Sequence, residues 1–420
     1  MSERPPLPDG PWLVVGLARS GLAAGRALAA LGHDVVGVDR GSPALEADQG
    51  FPVVTGVDGL QQLSDGVRAV VKSPGVPPRA PVVAAARAAG LPVLGEVELA
   101  WRLVDAPVVA VTGTNGKTTV TEWLGHAFRG AGRPVAVVGN VGTAYTSLIG
   151  TKLAPGTTVI VECSSYQLYD TLAFRPDVGV LLNLESDHLD WHGSAEAYAA
   201  AKLDGMFARQ TADDVAVLPR AFASTAGGVG ARIVAEDVRL PAAPALPGAH
   251  NVANARAVVA VTRARGLPED AIVTALTTFT GVEHRLREVA VIGGVRYIDD
   301  SKATNVASAL TALAAIDAPV HLILGGDDAK QEDFGPLREP VAAGCASVQL
   351  IGRAAGRLRA ALGTGTDRGE LATAVTAARA AAGAGDVVLL SPACASFDQY
   401  SSFEERGRHF QTLVRNFTED

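Results

Sequence analysis

Residues 108–120 read VVAVTGTNGKTTV. An apolar run, Val108–Val111, closes on the hexapeptide GTNGKT and opens into a stretch with helical spacing, Thr118–Gly130. Strand, glycine turn and helix in that order form a phosphate cradle. Gly113 and Gly116 let the backbone curl so that successive N–H groups face phosphate oxygens, and the helix start adds its partial positive charge. Lys117 is expected to reach the β- and γ-phosphates, and the Thr118 hydroxyl to ligate Mg²⁺. Gly113, Thr114, Asn115, Gly116, Lys117, Thr118 and Thr119 are the expected nucleotide contacts. The longer GxxxxGK[ST] spacing would need glycine at position 111, where Val111 stands, so the loop is a shortened variant anchored at Gly113. A plain glycine turn with a solvent lysine is the alternative, and the flanking strand and helix weigh against it.

Outward from this loop the pattern repeats. Apolar runs rich in Val, Ile and Leu predict strands at Trp12–Val15, Val35–Val38, Ala69–Val71, Val108–Val111, Val135–Val138, Val159–Val161, Val178–Leu182 and Val215–Leu218. Four more fall at Val295–Ile298, Val320–Leu324, Ser347–Ile351 and Val387–Leu390. Between them lie helical stretches such as Gly21–Leu31, Pro81–Ala89, Ala253–Arg265 and Asn305–Ala315. Continuous apolar strands alternating with helices predict an α/β fold of parallel sheets covered on both faces. A length of 420 residues suits two or three domains. Boundaries near Gly95 and Gly281 divide the chain into 1–95, 96–281 and 282–420, and residues 221–248 read as a surface excursion.

Composition narrows the classes. Lys+Arg 36 against Asp+Glu 44 gives a net charge of −8, which argues against a dedicated nucleic-acid or anionic-membrane binder. Cys163, Cys345 and Cys394 have no CxxC spacing, so neither a disulfide framework nor a cysteine zinc site is expected. With no apolar signal region and no bilayer-length apolar run, a cytoplasmic protein is the expectation.

In parallel sheets ligands sit beyond the carboxyl ends of strands, so the residues after each run matter most. TTVIVECSSYQL ends a strand on Glu162, placed to hold Mg²⁺ or its water; an ordinary strand-end carboxylate is the competing reading. VGVLLN opens into LESDHLDWHGS, with Glu185, Asp187, His188, Asp190 and His192 in one short segment. That density suggests a metal or phosphate site with His188 as the favoured ligand, while Asp187 and Asp190 also suit helix caps. Lys202 lies on a predicted helix, where a surface salt bridge is the default. At the other end of the chain, WLVVGLARSGLAAG matches a degenerate dinucleotide fingerprint, with Ala18 in place of its second glycine and Asp39 where a ribose-binding acid would sit. A nicotinamide, another nucleotide diphosphate, or no ligand all fit. KSPGVPP places Ser73 at a further strand end. In the C-terminal third, DDSKATN, GGDDAK and SPACASFDQY each follow a strand. Together they suggest a pocket for a small carboxylate, and each alone also reads as a cap or turn.

Taken in order, GLARSGLA, KSPGV, TGTNGKTT, GNVG, VECSSYQL, NLESDHLDWHGS, YAAAKLD, GAHNVANA, EHRLREV, DDSKATN, LGGDDAK and SPACASFDQYSSFEERG resemble the Mur ligases, ATP-dependent amide-forming enzymes of bacterial cell-wall precursor synthesis. DSKATN and SPACASFDQ are most similar to the branch that adds D-glutamate to UDP-N-acetylmuramoyl-L-alanine. The resemblance implies a Rossmann-like N-terminal domain for the UDP-sugar, a central ATPase domain and a Rossmann-like C-terminal domain for the amino acid, in a monomer. It implies an acyl phosphate formed from ATP, two Mg²⁺ ions, and a Lys202 carbamylated by CO₂, reversing the salt-bridge reading. By matching position, Lys117, Thr118, Glu162 and His188 serve phosphates and metals. Asn140 and Asp187 line the reacting region, Ser164 is a substrate contact, and Asn251, Asn254, Arg285 and Asp300 face the nucleotide. Ser20, Gly21, Asp39, Arg40 and Ser73 belong to the UDP-sugar, and Thr304, Lys330, Ser396 and Phe397 to D-glutamate. Arg19 stands where an apolar residue beneath the uracil is expected.

Overall fold

The computed structural model describes residues 4–41, 43, 45, 48–185, 187–224, 227, 230–328 and 333–417. It divides into two compact units, one up to Thr280 and one from Gly281. The first holds two parallel sheets. Strands β1 (Trp12–Val15), β2 (Val35–Asp39), β3 (Val53–Thr55), β4 (Ala69–Lys72) and β5 (Val93–Gly95) form the first, in the order β3-β2-β1-β4-β5. Strands β6 (Val108–Thr112), β7 (Val135–Gly139), β8 (Thr158–Glu162), β9 (Val178–Leu181), β10 (Val215–Leu218) and β11 (Ala231–Val234) form the second, in the order β11-β10-β9-β6-β8-β7. In both sheets the first strand in chain order sits between neighbours reached in opposite directions. The chain therefore reverses beside β1 and beside β6, and at these points loops splay apart to leave a crevice.

The strands read as unbroken apolar runs because helices cover both faces; every residue of β1, β4, β6, β8 and β9 is buried. The helix Glu96–Leu103 shows why the two sheets make one unit. Its Leu99 packs in the core under the first sheet, whereas Val97, Ala100 and Trp101 pack in the core of the second. Buried Glu98 accepts the N–H groups of Leu172, Ala173 and Phe174, and Glu96 accepts the N–H and hydroxyl of Thr146. These carboxylates satisfy loop amides that would otherwise be buried without partners.

The second unit is a six-stranded sheet of β12 (Arg287–Ile292), β13 (Val295–Asp299), β14 (Val320–Gly325), β15 (Cys345–Ile351), β16 (Thr366–Gly369) and β17 (Val387–Leu390), ordered β12-β13-β17-β14-β15-β16. Only β12 runs antiparallel, joined to β13 by Gly293-Gly294 with both φ positive (59° and 78°), a two-residue turn matched to strand twist. The region 221–248 is more than a surface excursion: it supplies β11, which extends the second sheet at its edge. Among the described residues no helix is long and apolar enough to cross a membrane.

Candidate active site

The expected strand, turn and helix are all present: β6, then Gly113–Gly116, then the helix Lys117–Gly130. Gly116 caps the helix in the left-handed region (φ 83°), with no side-chain capping hydrogen bond. The loop is braced from the end of β9. Asn183 accepts the N–H of Asn115 through its side chain (2.8 Å) and the N–H of Thr114 through its carbonyl (3.2 Å). Two amides expected to face phosphate are thus engaged by Asn183, a residue the motif does not announce. The helix-start amides and the two lysines are left as the loop's positive elements. Lys117 Nζ donates to the carbonyls of Gly113 and Thr114, both at 2.8 Å.

Asn254 lies against Gly116: a Cβ there would stand 2.6 Å from Asn254 Oδ1. Asn254 donates to Asn251 Oδ1 (3.1 Å), and Asn251 donates to the Pro247 carbonyl. Both asparagines are buried on the helix Ala249–Ala264. Gly116→Ala combines left-handed strain of about 1–2 kcal/mol with displacement of Asn254. We expect a loss of nucleotide affinity of about tenfold or more, read by titration of an ATP analogue; unchanged affinity would show that the loop does not bind the nucleotide.

Lys202 is the largest departure from a surface reading. It is 1% exposed, its Nζ donates to the Gly113 carbonyl at 2.7 Å, and it lies 4.7 Å from the Tyr198 ring centroid. Burial, reinforced by the nearby Lys117 cation, pulls its pKa down to about 7. The amine therefore holds an appreciable neutral fraction at physiological pH. Tyr198 reaches the same loop by a 3.0 Å contact of its hydroxyl with Thr114 Oγ1.

Glu162 ends β8, buried, with Asn140 Nδ2 3.1 Å from its Oε1. Ser164 caps the helix Ser165–Tyr169 through a reciprocal pair with Gln167, worth about 1 kcal/mol, so its hydroxyl already has a structural partner. Asp187 is half-buried; its Oδ1 accepts the N–H of His188 at 2.8 Å. His188 is exposed and adopts φ 52°, a conformation uncommon for a residue with a side chain. It rests 4.8 Å from the Tyr166 ring centroid. His192 instead stacks on Tyr166 and meets Ser165 Oγ at 3.0 Å. The Asp190 side chain and Lys330 lie outside what is described. Among the described residues no three His, Cys, Asp or Glu side chains converge on one point. Buried Glu162 and Thr118, with few other protein donors, suit Mg²⁺, which keeps waters and relies on substrate phosphates.

At the first sheet's reversal Asp39 is spent locally. Its Oδ2 accepts the N–H of Leu17 and its Oδ1 that of Gly41, both at 2.7 Å, so it shapes the glycine turn. Ser73 Oγ donates to the Gly16 carbonyl (2.9 Å). Gly21 packs on that same carbonyl, Ser20 is half-buried, and Arg40 is exposed. Arg19 donates to the Asn140 carbonyl at 2.9 Å, linking the two sheets' loops.

In the second unit, Asp300 accepts from Ser391 Oγ (2.7 Å) and the N–H of Leu286 (3.1 Å), and Arg285 is exposed. Its neighbour Asp299 holds buried His284 (2.6 Å) and Gln411 (2.9 Å). Arg406, almost fully buried, ties the carbonyls of Ser301, Gly325, Cys394 and Ala395 together across three strand ends. A small cavity there is lined by Thr304, Asp327, Asp328, Phe334 and Ala393–Ala395. Ser396 is buried beside it, and Phe397 is 68% exposed.

Burial pushes Asp300 up to about 7. Below about pH 4 both folded and unfolded chains carry its proton. Between that and about 7 the unfolded chain ionises first, so the folded state loses stability as pH rises, and the full cost stands above 7. Asp300→Asn removes that cost. Its melting temperature should exceed the parent's by a margin that widens from pH 5 to 8 in thermal melts (about a degree or more); a pH-independent margin would contradict this.

A glycine loop bearing one lysine, with a second buried beneath it, has the charge to suit a polyphosphate, and the carboxylate at the adjacent strand end suits a cation bound with it. The class so defined is that of phosphate-loop α/β enzymes. Residues 111–226 match the Mur ligase middle domain, and residues 284–394 match the Mur ligase glutamate ligase domain. The UDP-N-acetylmuramoylalanine–D-glutamate ligases of Acidobacterium capsulatum and Pelotomaculum thermopropionicum are each 41% identical over 96% of this chain, covering 95% and 96% of their own lengths. That of Geobacillus kaustophilus is 40% identical over 96% of both chains. Among solved structures, the UDP-N-acetylmuramate-alanine ligase of Thermotoga maritima aligns over 99% of this chain and 100% of its own (TM-score 0.55, 18% identity). E. coli FolC with ADP aligns over 77% and 93% (TM-score 0.54, 20% identity), which speaks to fold alone. The chain belongs to the Mur ligase family, a family of ATP-dependent amide-forming ligases.

Proposed function

We propose that this chain adds D-glutamate to UDP-N-acetylmuramoyl-L-alanine at the expense of ATP, in peptidoglycan precursor synthesis. The observation that carries the reading is the phosphate loop with Lys117 on its carbonyls and buried Lys202 on Gly113, in a chain about 40% identical along its length to ligases of that name.

The alanyl carboxylate attacks the γ-phosphorus of ATP, ADP leaves, and an acyl phosphate results. The amine of D-glutamate then attacks the acyl carbon; inorganic phosphate leaves, and the amine proton is lost. Activation is needed because a free carboxylate has no adequate leaving group. Gly113, Gly116 and Thr119 orient the triphosphate, and Thr114 and Asn115 act indirectly, by fixing the loop against Asn183; Lys117 and the helix N-terminus offset charge on the transferred group. Thr118, Glu162, His188 and carbamylated Lys202 would hold Mg²⁺, as two ions, which would screen phosphate charge. Neutral Lys202 attacks CO₂ and loses a proton, replacing a cation by a carbamate anion. Asp187 and Asn140 hold the reacting end, assisted by Ser164. Asn251, Asn254, Arg285 and Asp300 are assigned to the nucleotide. Ser20, Gly21, Asp39, Arg40 and Ser73 are assigned to the UDP-sugar; for Asp39 the assignment is indirect, through the turn it shapes. Thr304, Ser396 and Phe397 are assigned to D-glutamate. Three domains, 1–95, 96–281 and 282–420, a monomeric state and a cytoplasmic site complete the proposal.

A panel of D- and L-amino acids with UDP-N-acetylmuramoyl-L-alanine and ATP tests it. Phosphate release should require both the UDP-sugar and D-glutamate; release with ATP alone, or with another amino acid in preference, would overturn it.

A further inference from the structure

We propose that Lys72 is a positioning residue for the ligation, tying the Ser73–Val76 turn of the first sheet to the His188 segment of the second through Asp170 and Trp191. The inference rests on the functional reading above.

Lys72 ends β4 and is fully buried. Its Nζ donates to the carbonyls of Val76 (2.6 Å) and Ser73 (3.3 Å), so the ammonium staples the turn shut from within. Ser73 in turn holds the Gly16 carbonyl. The same Nζ lies 2.8 Å from Asp170 Oδ2 and 5.4 Å from the Trp191 ring centroid. Asp170, equally buried, caps the helix Ser165–Tyr169 and receives Arg87 at 2.7 Å, while the Asp170 carbonyl accepts the N–H of Gly95. Trp191 belongs to the short helix Leu189–His192, directly after His188. Tyr166 stands 4.8 Å from both Trp191 and His188, and Tyr169 packs on Trp191 at 5.2 Å.

One cation therefore touches the turn, the helix carrying Tyr166, and the segment carrying His188. Burying an ammonium is costly even when paired, and a packed apolar side chain of similar size would avoid the cost. Packing alone therefore does not explain a charge here, whereas holding two loops in register does. Burial lowers the pKa of Lys72 and raises that of Asp170, and each is opposed by the other. The phosphate loop is held directly by Asn183 and Asn254 and meets this cluster only at one remove, where Tyr198, in contact with Thr114, packs edge-on against His188 and His192. Losing Lys72 should therefore disturb the UDP-sugar and its carboxylate more than ATP.

Lys72→Met is expected to lower kcat about tenfold or more and to raise KM for UDP-N-acetylmuramoyl-L-alanine several-fold, with KM for ATP within about twofold. Lys72→Arg should recover part of kcat. Asp170→Asn should reproduce the defect, and the two losses should not add. A second readout needs no turnover. The chain has four tryptophans, Trp12, Trp101, Trp123 and Trp191. In protein labelled with fluorotryptophan, the Trp191 resonance, assigned by Trp191→Phe, should move in Lys72→Met while the other three stay. Should Lys72→Met fail to fold, Asp170→Asn and Lys72→Arg carry both readouts. An unmoved Trp191 resonance, unchanged kcat and KM, or a KM for ATP that rises as far as that for the UDP-sugar would each overturn the inference. Absence of ligation by the parent protein would overturn the functional reading instead, while the fluorine shift would still test the coupling.

Discussion

Lys117→Ala is expected to lower kcat for phosphate release by at least about a thousandfold, equivalent to about 4 kcal/mol of transition-state stabilisation. Two effects combine. The ammonium is the loop's own cation, and its Nζ also braces the carbonyls of Gly113 and Thr114, so its loss removes charge and lets those carbonyls turn toward the phosphates. Lys117→Arg should not restore activity, because the longer, planar guanidinium spreads its charge and cannot place it at the point the compact ammonium occupies between the carbonyls and the phosphates. Near-normal turnover of Lys117→Ala, measured as phosphate released with all three substrates, would remove the phosphate-loop assignment.

Lys202→Ala carries the second large effect, a loss of about a hundredfold or more, partly restored by a short carboxylic acid that fills the space of the carbamate. The parent protein should lose activity in CO₂-stripped buffer and regain it with bicarbonate. The sign with pH follows from the amine: protonated below about 7 it cannot attack CO₂, and above 7 it is mostly neutral. At limiting CO₂, activity should therefore rise through neutrality. For folding the same group works against the native state at low pH, since the unfolded chain holds the proton more tightly; that cost is complete below about 7 and relieved as pH approaches the ordinary lysine value of about 10. Full activity of Lys202→Ala, with no response to added acid, would contradict the carbamate.

The central strands were legible because burial on both faces writes them as continuous apolar runs, and β1, β10 and β17 fall at the expected residues. The strands the runs do not show are marginal ones. β3 and β5 have three residues each, β11 and β16 are half-exposed edges, and β12 pairs antiparallel through Gly293-Gly294, a hairpin signal that was available in IGGVR. The phosphate loop was legible from local order alone. Lys202 was not, since AYAAAKLD gives no sign that the side chain turns inward to Gly113; only the family resemblance pointed there. Asn183, Tyr198, Lys72 and Asp170 were missed because each acts through a partner between 68 and 98 residues away, a distance that no spacing rule spans. Asp39 shows the converse: its position fits a ribose acid, yet its oxygens hold the amides of its own turn.

The most direct test of the account follows one oxygen atom. UDP-N-acetylmuramoyl-L-alanine labelled with oxygen-18 in its alanyl carboxylate is incubated with ATP, D-glutamate and Mg²⁺, and the released phosphate is analysed by mass. If the carboxylate attacks the γ-phosphorus, an oxygen of that carboxylate leaves with the phosphate, and label appears in it in step with the new amide. Amide formed alongside unlabelled phosphate would contradict an acyl phosphate and, with it, the role given to the loop at Gly113–Thr118.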